Sequence, residues 1–285
     1  MEKLKIWFAD FWPDWNYEDF ITPILKKYFD ITLDANNPDV LFHSIFNQIK
    51  DTPRYKCKKI LFLGENWRPS QFGSNYSISF DPTSETNFRL PLWQVYLLKN
   101  SELKERLYNR LNYKEEEFKR WCAFIVSNPS NFMRIGAYQL LNQYKHVNSY
   151  GKVLTNDFSL QHIPPGKYWR DVKDEFFLKN PHKFMITYEN TPYRYYCTEK
   201  LMDAFLVGAM PIYCGDPRVS EDWNPDAFIN VMKYTGWMDE IKRIDTHREY
   251  FNKYYEQPVF TPTQKEKLES NLNNFESWLV EVIKK

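Results

Sequence analysis

Residues 183–215 read KFMITYENTPYRYYCTEKLMDAFLVGAMPIYCG. The segment opens with a short apolar run, KFMITYEN, of strand length. A tyrosine-rich loop follows, and then TEKLMDAFLVG (198–208), in which Leu201, Ala204, Phe205 and Gly208 recur at helical spacing along one stripe. MPIYCG (210–215) reads as a second strand ending in glycine. Strand, helix and strand in this order predict parallel sheet architecture.

The same alternation extends in both directions. LKIWFAD (4–10), DVLFHSIF (39–46), KILFLGENW (59–67) and YSISFD (76–81) read as strands, with helical spacing of Phe20, Ile24, Leu25 and Phe29 between the first two. A second series runs from RWCAFIVSN (120–128, strand) and FMRIGAYQLLNQY (132–144, helix) through the quoted segment to AFINV (227–231, strand). The charged stretch at 92–120 connects the two series. The last segment, 261–285, is an amphipathic helix with Leu268, Leu272, Phe275 and Leu279 on one face. The pattern predicts two α/β domains with a cleft between them, and 285 residues suit two modest cores.

The net charge of +1 supplies no field for nucleic acid, so no nucleic-acid partner is expected. Aromatic residues make up 18% of the chain; most serve as core side chains, with sugar platforms as the functional alternative. Cys57, Cys122, Cys197 and Cys214 show no metal-ligand or disulfide spacing and read as buried thiols. The N-terminus runs directly into a strand without a signal-peptide pattern, and no stretch has the length and apolarity of a membrane span. A cytoplasmic protein is expected, with peripheral membrane contact left open.

Ligands of parallel α/β sheets bind beyond the carboxyl ends of the strands, and three strand ends carry chemistry. After Gly64, Glu65 could act as a general base in a cleft that raises its pKa; by position it is equally a solvated loop carboxylate or a partner of Arg68. After Ser127–Asn128, Arg134 falls near the start of a helix and could grip phosphate oxygens in pairs. After Glu189–Asn190, Thr198 is a candidate N-cap. Glu199 suits the helix dipole there, whereas Lys200 opposes it. A bound diphosphate would reverse that mismatch, while a pairing of Lys200 with Glu199 or Asp203 would merely relieve it. The sequence contains no Asp-x-Asp, P-loop, G-x-G-x-x-G, G-x-S-x-G or H-E-x-x-H. A diphosphate bound here would therefore rely on cationic side chains.

The segment YENTPYRYYCTEKLMDAFLVGAMPIYCGDPRV, followed by NPDAFINV, resembles the donor-binding signature of the α-1,3/1,4-fucosyltransferases, glycosyltransferase family 10. GEN (64–66) and SNP…R (127–134) lie upstream in the order that family shows. The resemblance implies a GT-B fold of two Rossmann-like domains facing each other across a cleft. The corresponding division is an acceptor-binding domain at 1–116, with helix 262–285 packing back on it, and a GDP-fucose-binding domain at 117–261. It also implies GDP-L-fucose as donor, an oligosaccharide containing N-acetylglucosamine as acceptor, inversion at the anomeric carbon, no metal, and Lewis-type products.

By the same resemblance Glu65 corresponds to the general base, and Arg134 and Lys200 to the cations on the diphosphate. Asn190 and Tyr196 correspond to donor contacts, Asn128 to the strand-end residue beside them, and Glu199 to the carboxylate near the fucose and ribose hydroxyls. Two features depart from the family pattern. Thr191 stands where serine is common, and PYRYYC offers both Tyr195 and Tyr196, of which the count back from Thr-Glu-Lys favours Tyr196. The heptad repeats and basic tails of some bacterial members are absent from this sequence. Two rival readings are a GT-B transferase using another nucleotide sugar and an inactive glycan-binding protein. Acceptor contacts are expected from loops near residues 10–15, 42–46 or 66–71.

Overall fold

All seven residues of the strand His182–Tyr188 are buried, so both of its faces require cover, as in parallel sheets flanked by helices. The computed structural model describes every residue except 13–15 and 17–19. It divides into two compact units, Met1–Ser101 with Glu266–Lys285, and Glu102–Lys265. The division between the two units falls within the charged connecting stretch, after Ser101.

The first unit contains β1 (Glu2–Ala9), α1 (Ile21–Leu25), β2 (Phe29–Leu33), β3 (Val40–His43), β4 (Lys58–Phe62), β5 (Tyr76–Ser79), β6 (Asn87–Arg89) and α2 (Leu92–Lys99). Its described strands form one parallel sheet in the order β2-β1-β3-β4-β5-β6. Ile6, Leu41, Ile60, Leu61 and Ile78 form its fully buried centre. Phe29 does not extend the first helix; it opens β2, paired with Glu2. Residues 13–15 of the expected acceptor loop lie outside the described residues.

The second unit contains α3 (Ser101–Tyr108, whose first residue belongs to the first unit), β7 (Arg120–Phe124), α4 (Phe132–Tyr144), β8 (Val147–Ser149), α5 (Trp169–Lys179), β9 (His182–Tyr188), α6 (Lys200–Leu206), β10 (Met210–Cys214), β11 (Ile229–Asn230), α7 (Trp237–Thr246) and α8 (Arg248–Tyr255). The strands are again parallel, in the order β11-β10-β9-β7-β8. One face packs Phe124 against Tyr138 of α4 at 5.0 Å between ring centroids. The other packs Ala123 and Met185 against Phe177 of α5, Ala204 of α6 and Val207 at its end.

The last helix, α9 (Pro262–Lys284), belongs to the first unit from Glu266 onward. Its predicted face is buried: Phe275 lies 5.3 Å from Phe88 and 6.1 Å from Phe20. At its end Lys58 donates to the carbonyls of Val282 (2.9 Å) and Ile283 (2.8 Å), where a cation meets carbonyls that the helix itself leaves unsatisfied. Among the described residues no helix is long and apolar enough to cross a membrane.

Candidate functional site

From β7 the chain moves outward to β8, returns to β9 on the other side of β7, and continues to β10 and β11. Strand order therefore reverses between β7 and β9, and open α/β sheets bind ligands at such a point, beyond the carboxyl ends of the strands. A pocket of about 200 Å³ lies there, lined by Ser127 past β7, Tyr188 at the end of β9, Arg134 of α4, Lys173 of α5, and Glu199 and Lys200 at the start of α6.

Lys200 is held from below. Its Nζ donates to Thr198 Oγ1 at 2.7 Å and lies 3.2 Å from Glu189 and 3.5 Å from Glu199. The Glu189 side chain is fully buried, and its two oxygens accept from the Thr198 amide and hydroxyl, both at 2.7 Å. Thr198 is consequently not the helix N-cap. Glu199 occupies that position without a side-chain capping bond, and the Thr198 hydroxyl is committed to Glu189. Gly215 makes room for this arrangement: a Cβ there would stand 2.5 Å from Glu189 Cγ.

Burial pushes the Lys200 pKa down, but Glu189 and Glu199 outweigh it and hold the ammonium above its usual value. For Glu199, burial pushes upward, while Lys200 first among the charges, then Arg170 and Lys173, bring the carboxyl down to about 2. A carboxylate with that pKa is ionised throughout the neutral range. It suits accepting hydroxyl hydrogen bonds or facing positive charge, and is a poor proton acceptor.

Arg134 is 4% exposed, and its Nε donates to the Tyr188 carbonyl at 3.0 Å. Helix α4 is sewn to the end of β9 by Asn131. Its Oδ1 caps the helix on Met133 N at 2.8 Å, and its Nδ2 donates to the carbonyls of Glu189 (3.0 Å) and Asn190 (2.6 Å). Asp203, one of the partners foreseen for Lys200, is instead held by Lys173 and by Arg170 at 2.5 Å. These contacts clamp α5 to α6 on one side of the pocket.

The structure thus brings Arg134, Glu199 and Lys200 together. Asn190 contributes its carbonyl to Asn131 and is not among the pocket-lining residues. Asn128 is exposed, and its side chain accepts from Ser130 N at 3.0 Å. Tyr196 is 1% exposed, inside the unit and away from the pocket lining. Its neighbour Tyr195 adopts a positive φ of 65°, held by donation of its N–H to Asp216 at 2.7 Å.

Glu65 belongs to the first unit, half-buried in the turn after β4, where its carbonyl accepts from Trp67 N at 2.7 Å. Arg68 braces that turn by donating to Asn66 and Asp81 while lying over the Phe80 ring at 4.5 Å. Of the four free cysteines, Cys122, Cys197 and Cys214 are buried as expected, whereas Cys57 is half-buried. Among the described residues no group of three or more His, Cys, Asp or Glu converges where a metal ion could be held.

Sequence reasoning missed Glu189 as the anchor, and the Lys173–Asp203–Arg170 clamp. The spacing of Trp169, Lys173 and Phe177 at i, i+4 and i+8 was the available signal for a pocket-facing stripe on α5. Nothing in the local sequence identifies the partner of Glu189, which lies across a loop.

Residues 6–96 match the family model for the N-terminal domain of α-(1,3)-fucosyltransferase FucT, and residues 115–276 match that for the C-terminal domain of glycosyltransferase family 10 (fucosyltransferase). α-(1,3)-Fucosyltransferase FucT of Helicobacter pylori is 28% identical over 314 residues, covering 95% of this chain and 63% of that protein. Human 4-galactosyl-N-acetylglucosaminide 3-α-L-fucosyltransferase 9 is 28% identical over 139 residues, 47% of this chain and 35% of its own. This chain therefore spans less than two thirds of the length of either relative. A crystal structure of α1,3-fucosyltransferase with GDP-fucose matches with a TM-score of 0.74 at 23% identity, over 98% of this chain and 90% of that one. A crystal structure of α1,3-fucosyltransferase with GDP matches with a TM-score of 0.72, also at 23% identity. The fold, two parallel-sheet α/β units, is that of these GT-B-like enzymes. With more than half of its length matched by the second family model, the chain belongs to glycosyltransferase family 10, the fucosyltransferases.

Proposed function

We propose that this protein transfers L-fucose from GDP-L-fucose to O3 of N-acetylglucosamine in a glycan such as N-acetyllactosamine, making Lewis-type products. Transfer to O4 is the alternative regiochemistry. The observation that carries the reading is the convergence of Arg134, Lys200 and Glu199 on one pocket at the switch point of the second sheet, in a chain of this family. The donor is taken from the GDP-fucose complex of the structural neighbour, and the acceptor from the human relative, whose name specifies a 4-galactosyl-N-acetylglucosaminide.

The reaction is a single in-line displacement with inversion. Glu65 takes the proton of the acceptor hydroxyl as that oxygen bonds to C1 of fucose, and the bond from C1 to the β-phosphate oxygen breaks on the opposite face. Arg134 and Lys200 face the charge that develops on the departing diphosphate. One such oriented group contributes about 3 kcal/mol when removed from comparable sites. Glu199, ionised at neutral pH, orients the sugar or stabilises oxocarbenium character at C1. No metal cofactor is assigned, since the two cations occupy the role of a divalent ion.

The test is turnover of GDP-L-fucose with N-acetyllactosamine, in excess chelator, by the wild type and Glu65→Gln. The wild type should be active and the variant reduced by a factor of a hundred or more, on the scale of a lost general base. A variant with near wild-type turnover would remove Glu65 as the base.

A further inference from the structure

We propose that Trp169 is the platform on which the nucleobase of the bound nucleoside diphosphate stacks, an inference that rests on the donor-site reading above. Trp169 is the first residue of α5 and lines the same pocket as Arg134 and Lys200. It is 40% exposed. Its indole makes no ring stack, cation contact or side-chain hydrogen bond with any other described residue.

That combination is unusual in this chain. Trp121, Trp223 and Trp278 each pack against another aromatic ring. A large apolar side chain left open at the mouth of a charged pocket exposes surface that a planar ligand ring would cover. Removing an aromatic side chain on which a base stacks weakens binding by roughly ten- to a hundredfold.

The position on the helix explains the direction. Trp169, Lys173 and Phe177 share one stripe of α5, and all three line the pocket. Lys173 is tied to Asp203 on α6, so α5 cannot roll and carry the indole away without breaking that buried contact. The lining also includes the apolar side chains of Ile125, Met185, Phe177 and Val207. The pocket therefore offers two chemistries: the cations Arg134 and Lys200 for phosphate, and apolar side chains that include the indole of Trp169. A nucleoside diphosphate has the same two parts, an anionic end and a planar aromatic end. The indole matches the second.

The experiment compares binding of GDP and of inorganic pyrophosphate by calorimetry, with KM for GDP-L-fucose, in the wild type, Trp169→Ala and Trp169→Phe. Because the side chain is partly exposed at a helix start, both variants should fold, and their thermal unfolding is recorded as a control. Trp169→Ala should weaken GDP by about ten- to a hundredfold, the range of one base stack, with pyrophosphate unchanged. Trp169→Phe should retain most of the affinity. Equal weakening of GDP and pyrophosphate would mean that the pocket as a whole is disturbed and would overturn the assignment. Unchanged GDP affinity with a raised KM for GDP-L-fucose would move the platform to the sugar and also overturn it. Failure of the wild type to bind GDP at all would instead defeat the donor-site reading on which the platform depends.

Discussion

Replacing Glu189 by Gln tests whether Lys200 is placed by a buried carboxylate. The substitution keeps the shape, which matters because Glu189 Cγ lies against Gly215. It also keeps an oxygen to accept from the Thr198 amide, now 2.7 Å from Oε1. It removes the negative charge, and it turns an NH₂ toward the Thr198 hydroxyl and toward Lys200 Nζ, 3.2 Å from Oε2. A hydrogen bond to a charged group contributes about 1.5–3 kcal/mol, and breaking a fully buried ion pair costs about 3–5 kcal/mol. Lys200 is partly open to water and retains Glu199 at 3.5 Å, which places the expected loss at the lower end, about 2–3 kcal/mol. For a unit the size of Glu102–Lys265 that corresponds to a fall in Tm of roughly 5–10 °C.

Urea unfolding followed by circular dichroism measures the loss, and a cycle with Lys200→Met isolates the pair. The double variant should lose less than the sum of the two single variants by about 1 kcal/mol or more. If Glu189→Gln falls within about 0.5 kcal/mol of the wild type, the range of ordinary surface changes, and the cycle shows no coupling, then Glu189 does not place Lys200.

Gly208→Ala should destabilise by about 2–4 kcal/mol in the same urea assay, the sum of a left-handed backbone penalty and overpacking. Gly208 ends α6 at φ +71°, and a Cβ there would stand 2.7 Å from the Tyr113 ring and 3.1 Å from the Leu111 carbonyl. Acid should destabilise the protein in two ranges. Burial lowers the His182 pKa from 6.5 to about 4, against the Asn180 carbonyl that accepts from its ring at 2.6 Å. The unfolded chain therefore binds the extra proton first, and this stability is complete above pH 6.5 and lost as pH falls to about 4. The urea midpoint should fall across that range in the wild type and more shallowly in His182→Gln. Glu199 adds a second loss as pH falls from 4.5 toward 2, its ordinary and folded values.

The strands visible in the sequence were those with enough apolar residues to be buried, such as β9 and β10. The strand β2 was not visible: of FDITL, only Phe29 is buried. An edge strand of this kind is recognised by its pairing with β1, which the local pattern does not encode. The three-residue strands β6 and β8 are likewise too short to show alternation. At the site, Arg134, Glu199 and Lys200 stood out because charges at strand ends and helix starts are chemically conspicuous. Glu189 did not, because an acidic residue after a strand reads as solvent-facing until the loop folds over it.

The sequence by itself determined the alternating α/β architecture, the amphipathic C-terminal helix and the family, since these depend on periodicity and on residue order within short segments. The pairing of Lys200 with its neighbour Glu199 was legible in the sequence, whereas tertiary structure alone decided which distant charges meet. Lys200, out of place at a helix start in the sequence, is stabilised by Glu189 reaching it from across the tyrosine loop, and Asp203 is held by α5. Coulomb energy depends on distance and burial, and neither can be read from positions along a chain.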